Sequence, residues 1–289
     1  MPLKEGDTIG LISPSSPVQP GSLDVGIRYL EEKGFTVKDG KHINDAERFL
    51  AGTDKDRASD LMDFFKDPDV KAIMATRGGQ GSQRILPLLD YDAIRANPKM
   101  LIGFSDTTAL QLGILAKTGL SSVTGFTLTV EMNELVDQTL IACLKGQPFE
   151  IVGGTPVYSG IVEAPIVGGN LSILTSLMGT PYQPDFKGNI LLLEDVDIEP
   201  FNIDRMISHL DLAGVFDQVE GIIFGDFSDC LTKYPDGGTI DDVINEWSHR
   251  YKKPCLKDFP YGHGKRNSVL PIGMKIKLDV EARTVGSWN

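Results

Sequence analysis

The chain is poor in the residues that staple or metallate proteins. Its 289 residues include three cysteines, four histidines and two tryptophans. Cys143, Cys230 and Cys255 are odd in number and far apart, which excludes a disulfide framework and matches no metal spacing. Free thiols of this kind are commonly buried and inert, and they suit a reducing compartment. No His-Glu-x-x-His, paired cysteine or clustered histidine appears, and Asp226 and Asp229 read as solvated loop acids. No metal and no cofactor is therefore expected. No apolar run is long enough to span a bilayer. The stretch Met1 to Asp7 lacks the apolar core of a secretory signal, so a chain that starts natively at Met1 is expected in the cytoplasm. Positive charge is scarce as well. Lys and Arg total 28 against 40 Asp and Glu, for a net charge of −12. With no basic patch, neither nucleic acid nor an anionic membrane is expected as a partner.

What is present is the composition of a soluble globular protein, 41% hydrophobic and 24% charged, with enough length for two domains. Residues 1–146 alternate short apolar strands with helical patterns. Thr8 to Ser13, Lys71 to Ala75 and Met100 to Phe104 read as buried strands. Asp24 to Lys33, a segment capped by Thr53, Asp106 to Lys117 and Glu131 to Leu144 read as helices. This alternation predicts a parallel sheet covered on both faces, a Rossmann-like α/β domain. Residues 147–160 are rich in Gly and Pro and read as a linker. Residues 161–289 are expected to form a smaller, β-rich α+β domain. Its strands Ile190–Leu193 and Gly221–Phe224 are buried, and the one near Met274 to Val280 is half exposed.

Four local features could carry chemistry. At Leu101-Ile102-Gly103-Phe104-Ser105-Asp106 a buried strand turns abruptly into a helix, as a nucleophile elbow does. Ser and Asp are equally good helix N-caps, so the pattern alone leaves both readings open. Thr76-Arg77-Gly78-Gly79-Gln80-Gly81 could bring backbone N–H groups to a ligand oxygen, but it lacks the Lys-[Ser/Thr] of a P-loop. Glu194-Asp195 closes a buried strand, where α/β enzymes place their sites. Of the four histidines, His42 lies in a polar stretch, His209 off its helix's apolar stripe, and His249 at a helix end. His263, between Gly262 and Gly264, is the one a loop could present to a cleft.

Taken in order, Thr76 to Gly79, Leu101 to Thr108, Leu192 to Asp195 with Ile203-Asp204-Arg205, and Gly262 to Gly264 with Leu270 to Gly273 resemble the LD-carboxypeptidase family of serine peptidases. Gly6-Asp7, Ser13 to Ser16 and Pro165 to Asn170 are similar to it too, so the likeness runs from about residue 5 to 287. The family also contains the microcin C immunity peptidases. The resemblance implies a two-domain homodimer with the site between its domains, Ser105 as nucleophile, His263 as base and Glu194 as the acid that orients it. It implies backbone N–H groups of Asp106 and Gly79 as the oxyanion hole. It also implies the reaction: release of terminal D-alanine from murein tetrapeptides, at the L-Lys or meso-diaminopimelate bond, during cell-wall recycling. Arg77 is a candidate reader of the terminal carboxylate, or else the partner of a loop acid. Two other readings stay open: cleavage of aminoacyl or peptidyl nucleotides, for which the site would need an aromatic platform for the base, and a non-catalytic binding protein; Trp247 and Trp288 lie far in sequence from the motifs and do not decide between them. The sequence does not choose between lysine and diaminopimelate substrates.

Overall fold

The computed structural model describes residues 2–234 and 236–287. Two sheets organise them. The first is built from β1 (Thr8–Ile12), β2 (Thr36–Asp39), β3 (Val70–Ala75), β4 (Met100–Gly103) and β5 (Ser122–Thr124), all parallel, in the order β2-β1-β3-β4-β5. The central strands are continuous apolar runs because helices cover both their faces. Those helices are α1 (Asp24–Glu32), α2 (Asp54–Lys66), α3 (Tyr91–Ala96), α4 (Thr108–Thr118) and α5 (Glu134–Lys145). Local chemistry sets their ends. The Thr53 hydroxyl accepts the Asp56 N–H at 3.2 Å to start α2, a cap worth about 1 kcal/mol. Gly119 and Gly146, both with left-handed backbone, stop α4 and α5.

The second sheet contains β6 (Phe149–Val152), β7 (Thr155–Tyr158), β8 (Ile161–Asn170), β9 (Ile190–Val196), β10 (Gly221–Ser228), β11 (Cys255–Lys257), β13 (Lys275–Asp279) and β14 (Thr284–Ser287). Their order is β6-β14-β13-β8-β9-β10-β11-β7. The strands from β8 to β11 run parallel, and the flanking strands pair antiparallel. Helices α6 (Leu171–Leu177), α7 (Pro200–Leu212), α8 (Val215–Gln218) and α9 (Ile240–Arg250) complete this half. The fold is thus the expected pairing of a parallel α/β domain with a β-rich α+β domain.

The expected boundaries need correction at two places. Residues 147–160 are no linker: Phe149–Val152 and Thr155–Tyr158 are the two outermost strands, on opposite edges of the second sheet. Gly153 and Gly154 turn the chain between them, and Pro156 is tolerated because an edge strand leaves one face of its backbone unpaired. Nor is everything beyond residue 161 in the second half. The strand β12 (Leu270–Ile272) crosses back and pairs antiparallel with β5, closing the first sheet as its sixth strand. That return carries the loop ahead of it, which holds His263, to the carboxyl ends of the first sheet's strands. Ligands of open α/β sheets bind at those ends, where the strand order reverses.

Candidate active site

Three loops meet at the carboxyl ends of β1, β3 and β4. After β4, Phe104 is still extended, but Ser105 takes a positive φ of 62° before a short turn leads into α4. A non-glycine residue in this region costs about 1–2 kcal/mol, so the geometry must be held from outside. Part of the hold is Asp106. Its buried carboxylate accepts the Ser15 hydroxyl at 2.6 Å, the Ser82 N–H at 2.8 Å and the Gly81 N–H at 3.2 Å. The elbow is thereby tied to the loops after β1 and β3. Arg57, also buried, ties those two loops to each other by donating to the carbonyls of Pro14 at 2.5 Å and Gly81 at 2.9 Å.

The glycine loop after β3 lies directly on the serine. A Cβ placed at Gly78 would sit 2.8 Å from Ser105 Cβ and 3.1 Å from its Oγ, so only glycine fits there. Gly79 has φ 119°, and Ser16 fills the space its side chain would need. What this segment can offer a ligand at the serine is backbone. Among the described residues Arg77 does not pair with a loop acid, the alternative raised by its sequence context. Its Nε donates to the Gly78 carbonyl at 3.2 Å and its Nη1 to that of Pro17 at 3.1 Å.

Glu194 arrives from the other sheet. It sits on β9 opposite Asn170 of β8, and the Asn170 N–H donates to Thr108 Oγ1 at the start of α4, joining the halves. On its other side β10 is irregular. Phe224 pairs with Leu193 and Phe227 with Asp195, so Gly225 and Asp226 together face Glu194. This bulge re-aims the strand and makes room for the chain at Tyr261 to His263. A Cβ at Gly225 would lie 2.3 Å from the Tyr261 carbonyl, and the Asp226 N–H donates to that same carbonyl at 2.8 Å. Asn267 fastens the loop from the far side, accepting the Gly262 N–H at 3.1 Å and donating to the Gly125 carbonyl at 2.7 Å.

The result is a buried acid held on a half-buried imidazole. His263 Nδ1 lies 2.7 Å from Glu194 Oε2, with the carboxylate fully enclosed and 22% of the imidazole exposed. Burial pushes the Glu194 carboxyl above its ordinary range, and the bond to His263 works against that. For His263 burial pulls down, but the Glu194 carboxylate, with Asp195 and Asp226 behind it, lifts the imidazole above its ordinary 6.5. The His263 ring packs on Phe104, the residue before Ser105, at 4.5 Å between centroids. Among the described residues no hydrogen bond joins the imidazole to Ser105 Oγ. Serine–histidine contacts are often longer before substrate binds than after.

Two positioning residues carried no role in the sequence reading. Asn170 Nδ2 donates to Glu194 Oε1 at 3.2 Å and to Asp195 Oδ1 at 3.1 Å. The Asp195 carboxylate is itself fixed by the N–H and hydroxyl of Ser172, at 2.9 and 2.6 Å. Asn170 also caps α6 by accepting the Ile173 N–H at 3.2 Å. Asn170→Ser keeps a capping oxygen but loses the amide that steadies Glu194. It is expected to lower kcat by about 10²-fold, the scale of a roughly 1 Å misplacement, with little change in Tm. Steady-state kinetics beside a thermal melt would check this, and an unchanged kcat would remove the assignment.

Elsewhere, His42, Asp45 and Asp56 bring one side-chain atom each within 4.8 Å, a grouping the sequence reading did not make. His42 Nδ1 is already bonded to Asp45 at 2.8 Å, and burial is only partial at His42 and Asp56. His209 and His249 are exposed on their helices. Asp226 is bonded to the Ser228 hydroxyl. Burial pushes the Cys143 and Cys255 thiols up to about 12 and that of Cys230 to about 11, which keeps them protonated. Trp247 is buried and stacked on Phe216, so it offers no platform for a nucleobase; Trp288 lies outside the described residues. Among the described residues no helix is long and apolar enough to cross a membrane.

The chain resembles known proteins along its whole length. The profile of the LD-carboxypeptidase N-terminal domain matches residues 9–125, and that of the C-terminal domain matches residues 163–278. A probable murein peptide carboxypeptidase of Bacillus subtilis is 35% identical, across 98% of this chain and 92% of its own. The microcin C7 self-immunity protein MccF of Escherichia coli is 34% identical, across 98% of this chain and 94% of its own. A structure of MccF with glutamyl sulfamoyl guanosine superposes with a TM-score of 0.90 at 31% identity, over 100% of this chain and 97% of the other. That of a muramoyltetrapeptide carboxypeptidase from Oxalobacter formigenes gives 0.87 at 26% identity, over 96% and 97%.

Proposed function

This chain belongs to the LD-carboxypeptidase family, and on that premise we propose that it is a serine exopeptidase releasing terminal D-alanine from murein tetrapeptides. The observation that carries the reading is the buried Glu194 bonded to the partly exposed His263, whose ring packs on Phe104, the residue before the strained Ser105. His263 takes the Ser105 proton as the hydroxyl attacks the scissile carbonyl. Glu194 holds the imidazole in the tautomer that presents Nε2 and stabilises the imidazolium that forms. The N–H groups of Asp106 and Gly79 receive the developing oxyanion. The contact of Gly78 with Ser105 supports that placement, and one such donor is worth roughly 10²–10³ in rate. D-alanine leaves with the proton from His263, and water then resolves the acyl-enzyme by the same route. Arg77 spends two of its N–H groups on carbonyls and has others with which to read the terminal carboxylate. The family resemblance further supports a homodimer working in the cytoplasm.

The direct test is incubation with a murein tetrapeptide and mass detection of tripeptide plus D-alanine, followed across pH. His263 must be neutral to act as base, and its pKa is raised. The acidic limb of kcat/KM is therefore expected to have its midpoint above 6.5, with activity lost as pH falls through it. A profile flat down to about pH 5 would contradict the role of His263. The second reading, cleavage of an aminoacyl nucleotide, draws on the likeness to MccF. Turnover of an aminoacyl sulfamoyl nucleoside in the same assay decides between them.

A further inference from the structure

The cleft beside His263 carries two charges for which the proposed chemistry has no use. Phe104, Val130, Glu131, Asn133, Gly262 to Lys265 and Asn267 enclose about 520 Å³. One wall is the segment between β5 and α5, which supplies Glu131. The other is the glycine-flanked loop of His263, which supplies Lys265. Asn133 joins the walls, donating from Nδ2 to the Lys265 carbonyl at 3.4 Å while its Oδ1 caps α5. Both charged residues are exposed, and neither forms an ion pair with the other or with any other described residue. The chain as a whole is strongly acidic, yet this cleft presents one free acid and one free base, with the imidazole between solvent and Glu194.

A group that carries an ammonium and a carboxylate on the same carbon matches such a cleft. A lone carboxylate would meet Lys265 but be repelled by Glu131, and a lone ammonium would meet the reverse. The proposed reaction offers a substrate group of the first kind. On the acyl side of the scissile bond, a diaminopimelate side chain ends in an amino acid centre, whereas a lysine side chain ends in an ammonium alone. We propose that Glu131 and Lys265 read the far end of that side chain, Glu131 pairing with its ammonium and Lys265 with its carboxylate. They would thereby set a preference for diaminopimelate over lysine peptides. This assignment rests on the peptidase reading above. It leaves the terminal D-alanine carboxylate to another group, since a methyl-sized leaving residue needs little of 520 Å³ and gains nothing from an acid nearby.

The experiment uses the full chain and two tetrapeptides that differ only at the third residue, meso-diaminopimelate or L-lysine. Exposed ion pairs change affinity by a fewfold each, so kcat/KM is expected to favour the diaminopimelate peptide by about fivefold. Lys265→Met should bring the ratio close to one, chiefly through KM, and Lys265→Glu should invert it. Glu131→Gln should lower kcat/KM for both peptides by a similar factor, because both carry the ammonium. A wild-type ratio of one overturns the assignment. So does an equal loss on both peptides in Lys265→Met, which is the pattern of a residue reading the terminal carboxylate. Either result leaves the peptidase reading standing, whereas failure to cleave both peptides overturns the two together.

Discussion

Ser105→Ala is expected to lower kcat/KM on a murein tetrapeptide by roughly 10⁵-fold or more, the scale seen when a triad nucleophile is removed. The protein should meanwhile keep its fold, because among the described residues the Ser105 hydroxyl is not part of any buried network and the elbow is held by Asp106 and Arg57. Ser105→Gly should separate chemistry from strain. It removes the same hydroxyl, and it also relieves a side chain held at φ 62°. An L-residue in that region costs about 1–2 kcal/mol, and glycine returns part of the gain as chain entropy. The net effect is a stabilisation of about 1 kcal/mol, read as a Tm higher by about 2 °C. A dead enzyme that melts later is the signature of strain kept for function. A Ser105→Gly variant that melts several degrees lower would show that the hydroxyl has a structural role instead.

Glu194→Gln should be the second large effect, at about 10⁴-fold in kcat, the loss found when a triad carboxylate becomes an amide. The amide keeps the size of the side chain and an oxygen for Asn170 Nδ2, so the fold should survive. Burial already disfavours the charge on Glu194, and removing that charge should leave the melting temperature unchanged or higher. The pH profile adds a sign that can be checked. In the wild-type chain the carboxylate lifts His263 above 6.5 against the downward pull of burial. With the carboxylate gone, burial still pulls down and only Asp195 and Asp226 still lift, so the acidic limb of the residual activity should move to lower pH than in the wild-type chain. A limb that stays in place would mean that another group titrates, or that Glu194 does not act through His263.

The first domain was legible because its signals are local. Buried strands there are continuous apolar runs, and Thr53, Gly119 and Gly146 mark helix ends by their own backbone chemistry. The misreading at 147–160 has a compositional cause. Gly153, Gly154 and Pro156 look like linker punctuation, and nothing nearby in sequence reveals that their neighbours pair with β14 and β11, more than ninety residues away. The crossing of β12 to the first sheet is equally non-local. At the site, the elbow could be read from Phe104-Ser105-Asp106, though as a helix cap just as well. Ser105, Glu194 and His263 were put together by family likeness rather than by spacing. Asn170 was recognised within a family-like segment, yet its role depends on the β8–β9 register that sets it opposite Glu194. The bulge at Gly225–Asp226 left no mark on the sequence, because one extra residue in a strand changes pairing without changing composition. Arg77 shows the opposite limit. Its type suggested a carboxylate partner, and the fold gives it carbonyls.

The most direct measurement is labelling by a fluorophosphonate, with the modified residue mapped by mass spectrometry in wild-type, His263→Ala and Glu194→Gln chains. A working relay predicts stoichiometric modification of Ser105 alone in the wild-type chain, little or none without the imidazole, and slow labelling with the amide. Absence of label on Ser105, or labelling that proceeds at the same rate without His263, would contradict the account.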